Sequence, residues 1–402
     1  MRLRKHLLIL AACAICISAL SACGSPQPAE TAIEPTAATM PTVTTPTETV
    51  VDPERSRIEI ASVPSPSLAN AVVYPVDNND VFVYLPPGYD TSEKSYPVIY
   101  TLPGAGFSQI YPEENSSTMT YVLDGLWTDG TLPPMIFVFC WGGGPFDASD
   151  PLYVTNSSFQ GNVLDFCAKD VVEYIDTHYR TLATPAGRGL LGDTITGDAA
   201  LRMASTYSDV FSAVYINHPW VLAEGSLENG DTYFTQPLVV EGMLDIAERL
   251  MDVPPDQVGT VFEEIRSNTH SAGIGFTLMY ATQYMSEPTS PYFSYLYTDV
   301  DTQADPEVWN RWEAGVGALE EKVTQGKDGL MRLIGLGIGR GTTDNFSQWA
   351  LSGMVELHQV LNDAGIPHQW DEYSGNGLEL IDQLGTVIVP FFADHLVTEP
   401  GS

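Results

Sequence analysis

From about residue 57 onward, short runs of apolar residues alternate with longer segments in which apolar residues recur every three or four positions. The short runs are typical of buried strands and the longer segments of amphipathic helices. Such alternation predicts a doubly wound, mostly parallel α/β sheet. The predicted strands are Val81–Leu85, Pro97–Leu102, Met135–Cys140, Arg188–Gly192, Phe211–Ile216, Leu333–Ile338 and His368–Tyr373, and the predicted helices are Asn162–Tyr179, Asp198–Tyr207 and Gln348–Ala364.

The stretch from about residue 217 to 330 interrupts this alternation with helical and aromatic-rich sequence, and it predicts a lid inserted into the sheet domain. Its aromatic side chains offer two interpretations. They stack on a sugar or phenolic ligand, or they pack the lid onto the sheet, which we favour for most of them. These residues are Phe276, Tyr280, Tyr284, Tyr292, Phe293, Tyr295, Tyr297, Trp309 and Trp312.

The N-terminal segment predicts an export signal. Basic residues Arg2, Arg4 and Lys5 precede an apolar run, residues 7–20, which is too short to span a bilayer comfortably. The run ends in Leu-Ser-Ala-Cys at residues 20–23, which resembles the lipobox of bacterial lipoproteins. The resemblance implies cleavage after residue 22, acylation of Cys23 and an extracytoplasmic, membrane-anchored protein of the cell envelope. The alternative is an ordinary signal peptide with Cys23 incidental.

Residues 23–56 are rich in Pro and Thr and predict a disordered tether, followed by one folded domain over 57–398. Two cysteines, Cys140 and Cys167, lie in that domain, where two buried thiols are favoured over a disulfide.

The overall charge excludes several classes of partner. The chain has 51 acidic and 17 basic residues, which give it a net charge of −34. Nucleic acids and anionic lipid surfaces are bound through Lys and Arg, so neither is an expected partner. We find no spacing typical of metal ligands, and we expect neither a metal nor another cofactor.

Several motifs in order along the chain resemble one family. They are the run at residues 83–89 (VYLPPGY), the run at 96–104 (YPVIYTLPG), the strand-like 130–138, and the C-terminal segments 341–346 and 365–368. Together they resemble the Putative esterase family, the α/β-hydrolase group with esterase D, enterochelin esterases, feruloyl esterases and mycolyltransferases. The resemblance implies an α/β-hydrolase fold and a Ser–His–Asp triad acting on a small-molecule ester.

The catalytic positions depart from that family. The strand-to-helix turn, usually Gly-x-Ser-x-Gly, spans residues 192–197 and carries Thr194 at the nucleophile position. Thr196 replaces the second glycine, and both β-branched residues are expected to crowd the turn. The acid position holds Asp344, whereas Gly377 stands where the family has its His.

The backbone N–H groups of Ile195 and Ala105 are expected to form an oxyanion-like pocket. His218 offers a substitute base, or is a His held in its loop, the interpretation we favour. Asp193 and Asp198 offer a carboxylate pair for acid–base chemistry, although Asp198 fits the favourable start of a helix better.

These residues lead to two hypotheses. In the first, the esterase-like domain is catalytically impaired and binds an ester, acyl or sugar-type ligand, or a partner. In the second, it is an active carboxylic-ester hydrolase or acyltransferase that uses Thr194, Asp344 and a non-standard base.

Overall fold

The computed structural model describes residues 55–73, 75–102, 118–128, 130, 132–140, 156–157, 159–229, 233–269, 271–284, 287–343, 348–375 and 380–399. Ten strands lie in these ranges, and eight of them form one sheet. The strands are β1 (Arg57–Pro64), β2 (Asn78–Leu85), β3 (Val98–Thr101), β4 (Ile136–Phe139), β5 (Asn156–Ser157), β6 (Gly161–Asn162), β7 (Arg188–Asp193), β8 (Ala213–Asn217), β9 (Gly335–Gly341) and β10 (Gln369–Tyr373).

The main sheet has the strand order β1-β2-β4-β3-β7-β8-β9-β10. Strand β2 pairs antiparallel with both β1 and β4, and every other neighbouring pair is parallel. The carboxyl ends of the parallel strands therefore meet at one edge, where ligand sites of open α/β sheets lie.

Helices cover the sheet and form the segment inserted between β8 and β9. Those of the sheet layers are α1 (Thr118–Thr128), α2 (Val163–Asp165), α3 (Val171–His178), α4 (Gly197–Thr206), α10 (Gln348–Asp363), α11 (Leu380–Gln383) and α12 (Val389–His395). Those of the insertion are α5 (Pro237–Leu250), α6 (Pro255–Asn268), α7 (Ala272–Tyr284), α8 (Pro306–Val316) and α9 (Leu319–Leu330).

Alternate residues of the central strands face two separate apolar layers. In β3, Tyr100 belongs to the larger cluster and Ile99 to the smaller one on the opposite face, and both are fully buried. Burial on both faces explains why these strands read as continuous apolar runs. The α/β prediction and its seven strands and three helices are confirmed, with shifts of a few residues at their ends.

Strand β1 was not predicted. It lies at the edge of the sheet, and its sequence Arg-Ile-Glu-Ile-Ala-Ser-Val-Pro carries polar residues among the apolar ones. Ile60 is 66% exposed, because an edge strand has one neighbour and a solvated face. Such a strand lacks the continuous apolar run by which the central strands are recognised.

Aromatic residues of the insertion pack against one another and against the sheet layer. The ring of Phe234 contacts Tyr280, Trp312 and, on α10, Trp349 at centroid separations of 5.1, 5.8 and 6.3 Å. Buried Tyr295 lies 5.9 Å from Trp312. Tyr280, Tyr295 and Trp312 therefore pack within the insertion, and Phe234 makes the contact to α10, while the side chains of Phe276 and Tyr284 lie outside the described part. Over the described ranges, no helix is long and apolar enough to cross a bilayer.

Candidate functional site

The strand-to-helix turn after β7 has the backbone geometry of a nucleophile elbow. A single 3-10 turn, Thr194–Thr196, joins β7 to α4, and Thr194 adopts the left-handed conformation with φ 48°. A non-glycine residue in this region costs about 1–3 kcal/mol and persists only where the surrounding structure enforces it. Thr194 is also completely buried. The elbow is thus formed with threonine at its apex.

The expectation that both threonines would work against this turn is wrong for Thr196, and local packing explains why, whereas Thr194 adopts the strained left-handed conformation. Close approaches fall at Gly192 and Gly197, where an added Cβ would lie 2.4 Å from Cβ of Ala200 and of Pro219, respectively. Thr196 lies between these two crowded positions. Its hydroxyl accepts a hydrogen bond from the Asp193 N–H (3.1 Å) and donates to the Asp193 carbonyl (3.0 Å). The threonine thereby stabilises the turn.

Asp193 lies at the centre of a buried polar network at the strand ends. Its carboxylate accepts hydrogen bonds from the Thr194 hydroxyl (3.3 Å) and from the Asn217 side-chain amide (2.8 Å). It also accepts from the backbone N–H of Thr196. The carbonyl oxygen of the Asn217 side chain accepts from the Tyr373 hydroxyl at 2.9 Å. One network therefore joins the ends of β7, β8 and β10.

Sequence reasoning missed the roles of Asn217 and Tyr373. Each is the polar last residue of its strand, and this position is the sequence signal by which both could have been identified. Room for the Asn217 side chain depends on Gly339, because an added Cβ there would lie 2.8 Å from the Asn217 side-chain oxygen. The glycine at position 339, on the neighbouring strand, was therefore a second sequence signal for a polar side chain at Asn217.

His218 immediately follows β8 and is fully buried, with φ 47°. The ring Nδ1 of His218 accepts a hydrogen bond from the Gly341 backbone N–H at 3.0 Å. The backbone N–H of His218 donates to the Gly339 carbonyl at 2.7 Å. Because a backbone N–H can only donate, Nδ1 carries the lone pair, and the ring proton of the neutral imidazole is on Nε2. A base for Thr194 would need the opposite tautomer. These contacts support the interpretation of His218 as a loop histidine.

The other predicted catalytic positions, Asp344, Gly377 and Ala105, lie outside the described residues, as does Cys23. The chain leading to the first two is described. The N–H groups of Thr342 and Thr343 donate to the carbonyls of Tyr373 and Gly375, each at 3.0 Å. The segments after β9 and β10 therefore leave the sheet side by side, close to the loop that holds His218.

Asp198 belongs to a separate ionic cluster behind the elbow. It lies in the first turn of α4, and its carboxylate contacts Lys322 Nζ at 2.7 Å and Arg202 Nε at 3.0 Å. The Asp198 side chain is 2% exposed and that of Lys322 13%. Burial lowers the pKa of Lys322, and the Asp198 carboxylate opposes that shift. Asp198 thus acts as a helix-start residue tied to α9, and the contacts do not pair it with Asp193.

The described site offers a carboxylate and hydrogen-bond donors at a strained turn. Ile195 follows the apex, where the family uses a backbone N–H as oxyanion donor. In the ranges that the structure covers, no cluster of three or more His, Cys, Asp or Glu residues is suited to a metal ion. The Thr194 hydroxyl donates to the Asp193 carboxylate, and Nδ1 of His218 accepts from the Gly341 N–H.

Comparisons with known proteins agree with the fold. The model of the family described as Putative esterase matches residues 76–379. Esterase MT1326 and Esterase Rv1288 of Mycobacterium tuberculosis are each 31% identical over 138 residues, which cover 34% of this chain and 28% of each relative. The matched region is thus less than a third of those proteins.

Among solved structures, a ferulic acid esterase matches with a TM-score of 0.50 at 17% identity, covering 85% of this chain and 99% of that one. An S-formylglutathione hydrolase from Agrobacterium tumefaciens matches with a TM-score of 0.47 at 12% identity, covering 86% and 97%. At 17% identity the likeness to the ferulic acid esterase concerns the fold alone. Since the family model spans most of the chain, this protein belongs to the Putative esterase family of α/β-hydrolases.

Proposed function

We propose that this protein is an esterase-family lipoprotein whose hydrolase domain no longer cleaves esters and serves as a binding domain. The observation that carries this proposal is the state of the Thr194 hydroxyl. It is completely buried and donates to the Asp193 carboxylate, while Nδ1 of His218, the substitute base considered above, accepts a hydrogen bond from the Gly341 N–H. Loss of a triad nucleophile or base alone costs on the order of a millionfold in turnover.

The charge of the site favours one class of ligand. Asp193 places a carboxylate directly beside the elbow, where a family esterase stabilises an oxyanion. A second negative charge brought to this buried position is repelled at low effective dielectric. The ligand class we propose is therefore a neutral ester or amide carbonyl, and the corresponding free carboxylate is disfavoured. No cofactor enters this proposal.

Ligand-induced thermal stabilisation tests the binding role. A methyl ester should raise the Tm of the intact protein, by an amount that grows with concentration, more than the free acid of the same skeleton does. Asp193→Asn keeps the side-chain shape and removes the charge, so the difference between ester and acid should shrink. Equal shifts for ester and acid in the natural chain, or no shift across a panel of esters and amides, would refute the role.

The anchor is the second part of the proposal. Cys23 would carry the acyl chains, and the acidic domain would lie outside the cytoplasm on the Pro/Thr-rich segment. The supporting observation is the cysteine that follows the signal-like apolar run. Fatty-acid labelling that Cys23→Ser abolishes is expected, and labelling that survives this change would contradict the assignment.

One feature favours the alternative of an active acyl hydrolase or acyltransferase. The elbow keeps its strained φ at Thr194, and the Asp193 carboxylate is 3.3 Å from the Thr194 hydroxyl. A carboxylate is a weak base for an alcohol, since its unperturbed pKa is about 4. Turnover that depends on both Thr194 and Asp193 would support this alternative over a binding domain.

A further inference from the structure

Two histidines meet where helix α10 returns to the edge strand β10. His358 lies near the end of α10, and His368 is the residue before β10 begins. The ring Nδ1 of His358 lies 2.8 Å from Nε2 of His368, which is a hydrogen-bond distance. Both side chains are half-buried. These two residues, the histidine pair, therefore connect the helix to the strand directly.

The partners of the histidine pair determine which ring nitrogens carry protons. Nδ1 of His368 lies 2.9 Å from the Ile366 carbonyl, which only accepts, so this nitrogen is an N–H donor. Nε2 of a neutral His368 then accepts, and the Nδ1–H of His358 donates to it. Nε2 of His358 is left to accept from the Asn362 side-chain amide at 3.2 Å. With both rings neutral, every ring nitrogen thus has a partner of the right kind.

Trp370, the second residue of β10, also holds His358. The two rings stack with centroids 4.3 Å apart and planes 26° from parallel. The rings of His358 and His368 meet edge to face at 4.9 Å. Rotation of His358 away from His368 would therefore also break its stacking on β10.

We propose that the histidine pair is an acid-sensitive switch that joins α10 to β10, closed with at most one added proton and opened by the second. The first proton from solvent goes to Nε2 of His358, because the Asn362 amide can turn its oxygen towards that nitrogen. The second goes to Nε2 of His368, so that two N–H groups face each other across 2.8 Å. Neither donor then has an acceptor, and the two positive rings repel each other.

Among the described residues of β10, Glu372 is the carboxylate on the side of the histidine pair. Alternate strand residues share a face, so Glu372 lies on the same face as Trp370, where Arg340 of β9 donates to it at 2.6 Å. Burial, and after it His368, lower the pKa of His358, whereas Glu372 acts in the opposite direction. The carboxylate therefore does not cancel the resistance of the pair to protonation.

The other acidic groups of this region lie on a different side of α10. Glu356, two residues before His358, projects about 200° away around the helix. Its carboxylate accepts from the Glu224 N–H at 3.1 and 3.2 Å, and it lines one cavity with Glu320 and Glu321 of α9. These carboxylates face that cavity, so they do not neutralise a second proton on the pair.

The direction of the pH effect follows from the difference in proton binding between the folded and unfolded chains. In the unfolded chain both histidines bind protons near pH 6.5. The folded pair resists the second proton and titrates in two steps as a unit. The unfolded chain therefore binds more protons, and stability falls as the pH drops below about 6.5. The switch is independent of whether the domain hydrolyses or binds esters.

NMR of the histidine rings tests the switch directly. Long-range proton–nitrogen spectra of the full chain, labelled with ¹⁵N-histidine, report the tautomer and charge of each ring, and His358→Gln and His368→Gln assign the signals. At pH 8 we expect both rings to be Nδ1–H tautomers. One of them should stay neutral to at least about one pH unit below 6.5. An Nε2–H tautomer in either ring, or full charging of both near pH 6.5, would overturn the proposal.

Thermal stability gives a second measurement. Between pH 7.5 and pH 5.0 the natural chain should lose about 3 °C more in Tm than the double variant His358→Gln/His368→Gln. His178→Gln is the matched control, because His178 is exposed at the end of α3, and it should lose as much as the natural chain. Equal losses in the natural chain and the double variant would contradict the switch.

Discussion

A chain in which Ser replaces Thr194 and His replaces Gly377 should hydrolyse a short-chain nitrophenyl ester at least about 100-fold faster than the natural chain. The elbow already has its left-handed apex, and the acid position already holds Asp344. The two substitutions supply the groups that the family motif has and this sequence lacks. The measurement is kcat/KM for the purified double variant beside the natural protein.

The single variants are the controls for this gain. Thr194→Ser lacks a base, and Gly377→His retains a threonine nucleophile, so each should stay within about tenfold of the natural chain. Triad members act as a unit, and their effects are strongly non-additive. A folded double variant with no more activity than either single variant would show that the scaffold has lost more than two side chains.

Loss of the Lys322 ammonium should lower the free energy of unfolding by about 3–5 kcal/mol, the usual cost of leaving one partner of a buried ion pair. Lys322 donates to Asp198 at 2.7 Å and to the Gly315 carbonyl at 2.8 Å. In Lys322→Met, the Asp198 carboxylate keeps only Arg202 among these cations, so we expect the lower end of the range. The urea midpoint should fall by about 1 M.

Lys327→Met is the matched control, because Lys327 lies on the same helix, α9, and is exposed. Its urea midpoint should change little, as is usual for a surface substitution. A loss below about 1 kcal/mol in Lys322→Met would mean that the ion pair does not stabilise the junction between the insertion and α4.

The sheet could be predicted because its central strands are buried on both faces. Strands β3 and β4 consist entirely of buried residues and read as apolar runs. The edge strand β1 could not be recognised in this way, since polar residues alternate with the apolar ones on its solvated face. Pairing of β1 with β2 joins Arg57 to Leu85 and Pro64 to Asn78.

At the site, the family motif predicted where the residues lie better than it predicted their hydrogen bonds. The motif alignment located Thr194 at the apex of the elbow, as the structure shows. It did not show that Thr196 would stabilise the turn, because that depends on a hydroxyl bonding back to Asp193 three residues earlier. Nor could it fix the tautomer of His218, which depends on the N–H of Gly341 on another strand.

The central claim is that the Thr194 hydroxyl performs no ester hydrolysis. Its most direct test is the turnover of a short-chain nitrophenyl ester by the purified natural chain beside Thr194→Val. Thr206→Val, at the exposed end of α4, is the matched control for copurifying activity. We predict that all three rates agree within about twofold. Turnover well above the buffer rate that is lost in Thr194→Val and kept in Thr206→Val would contradict the claim.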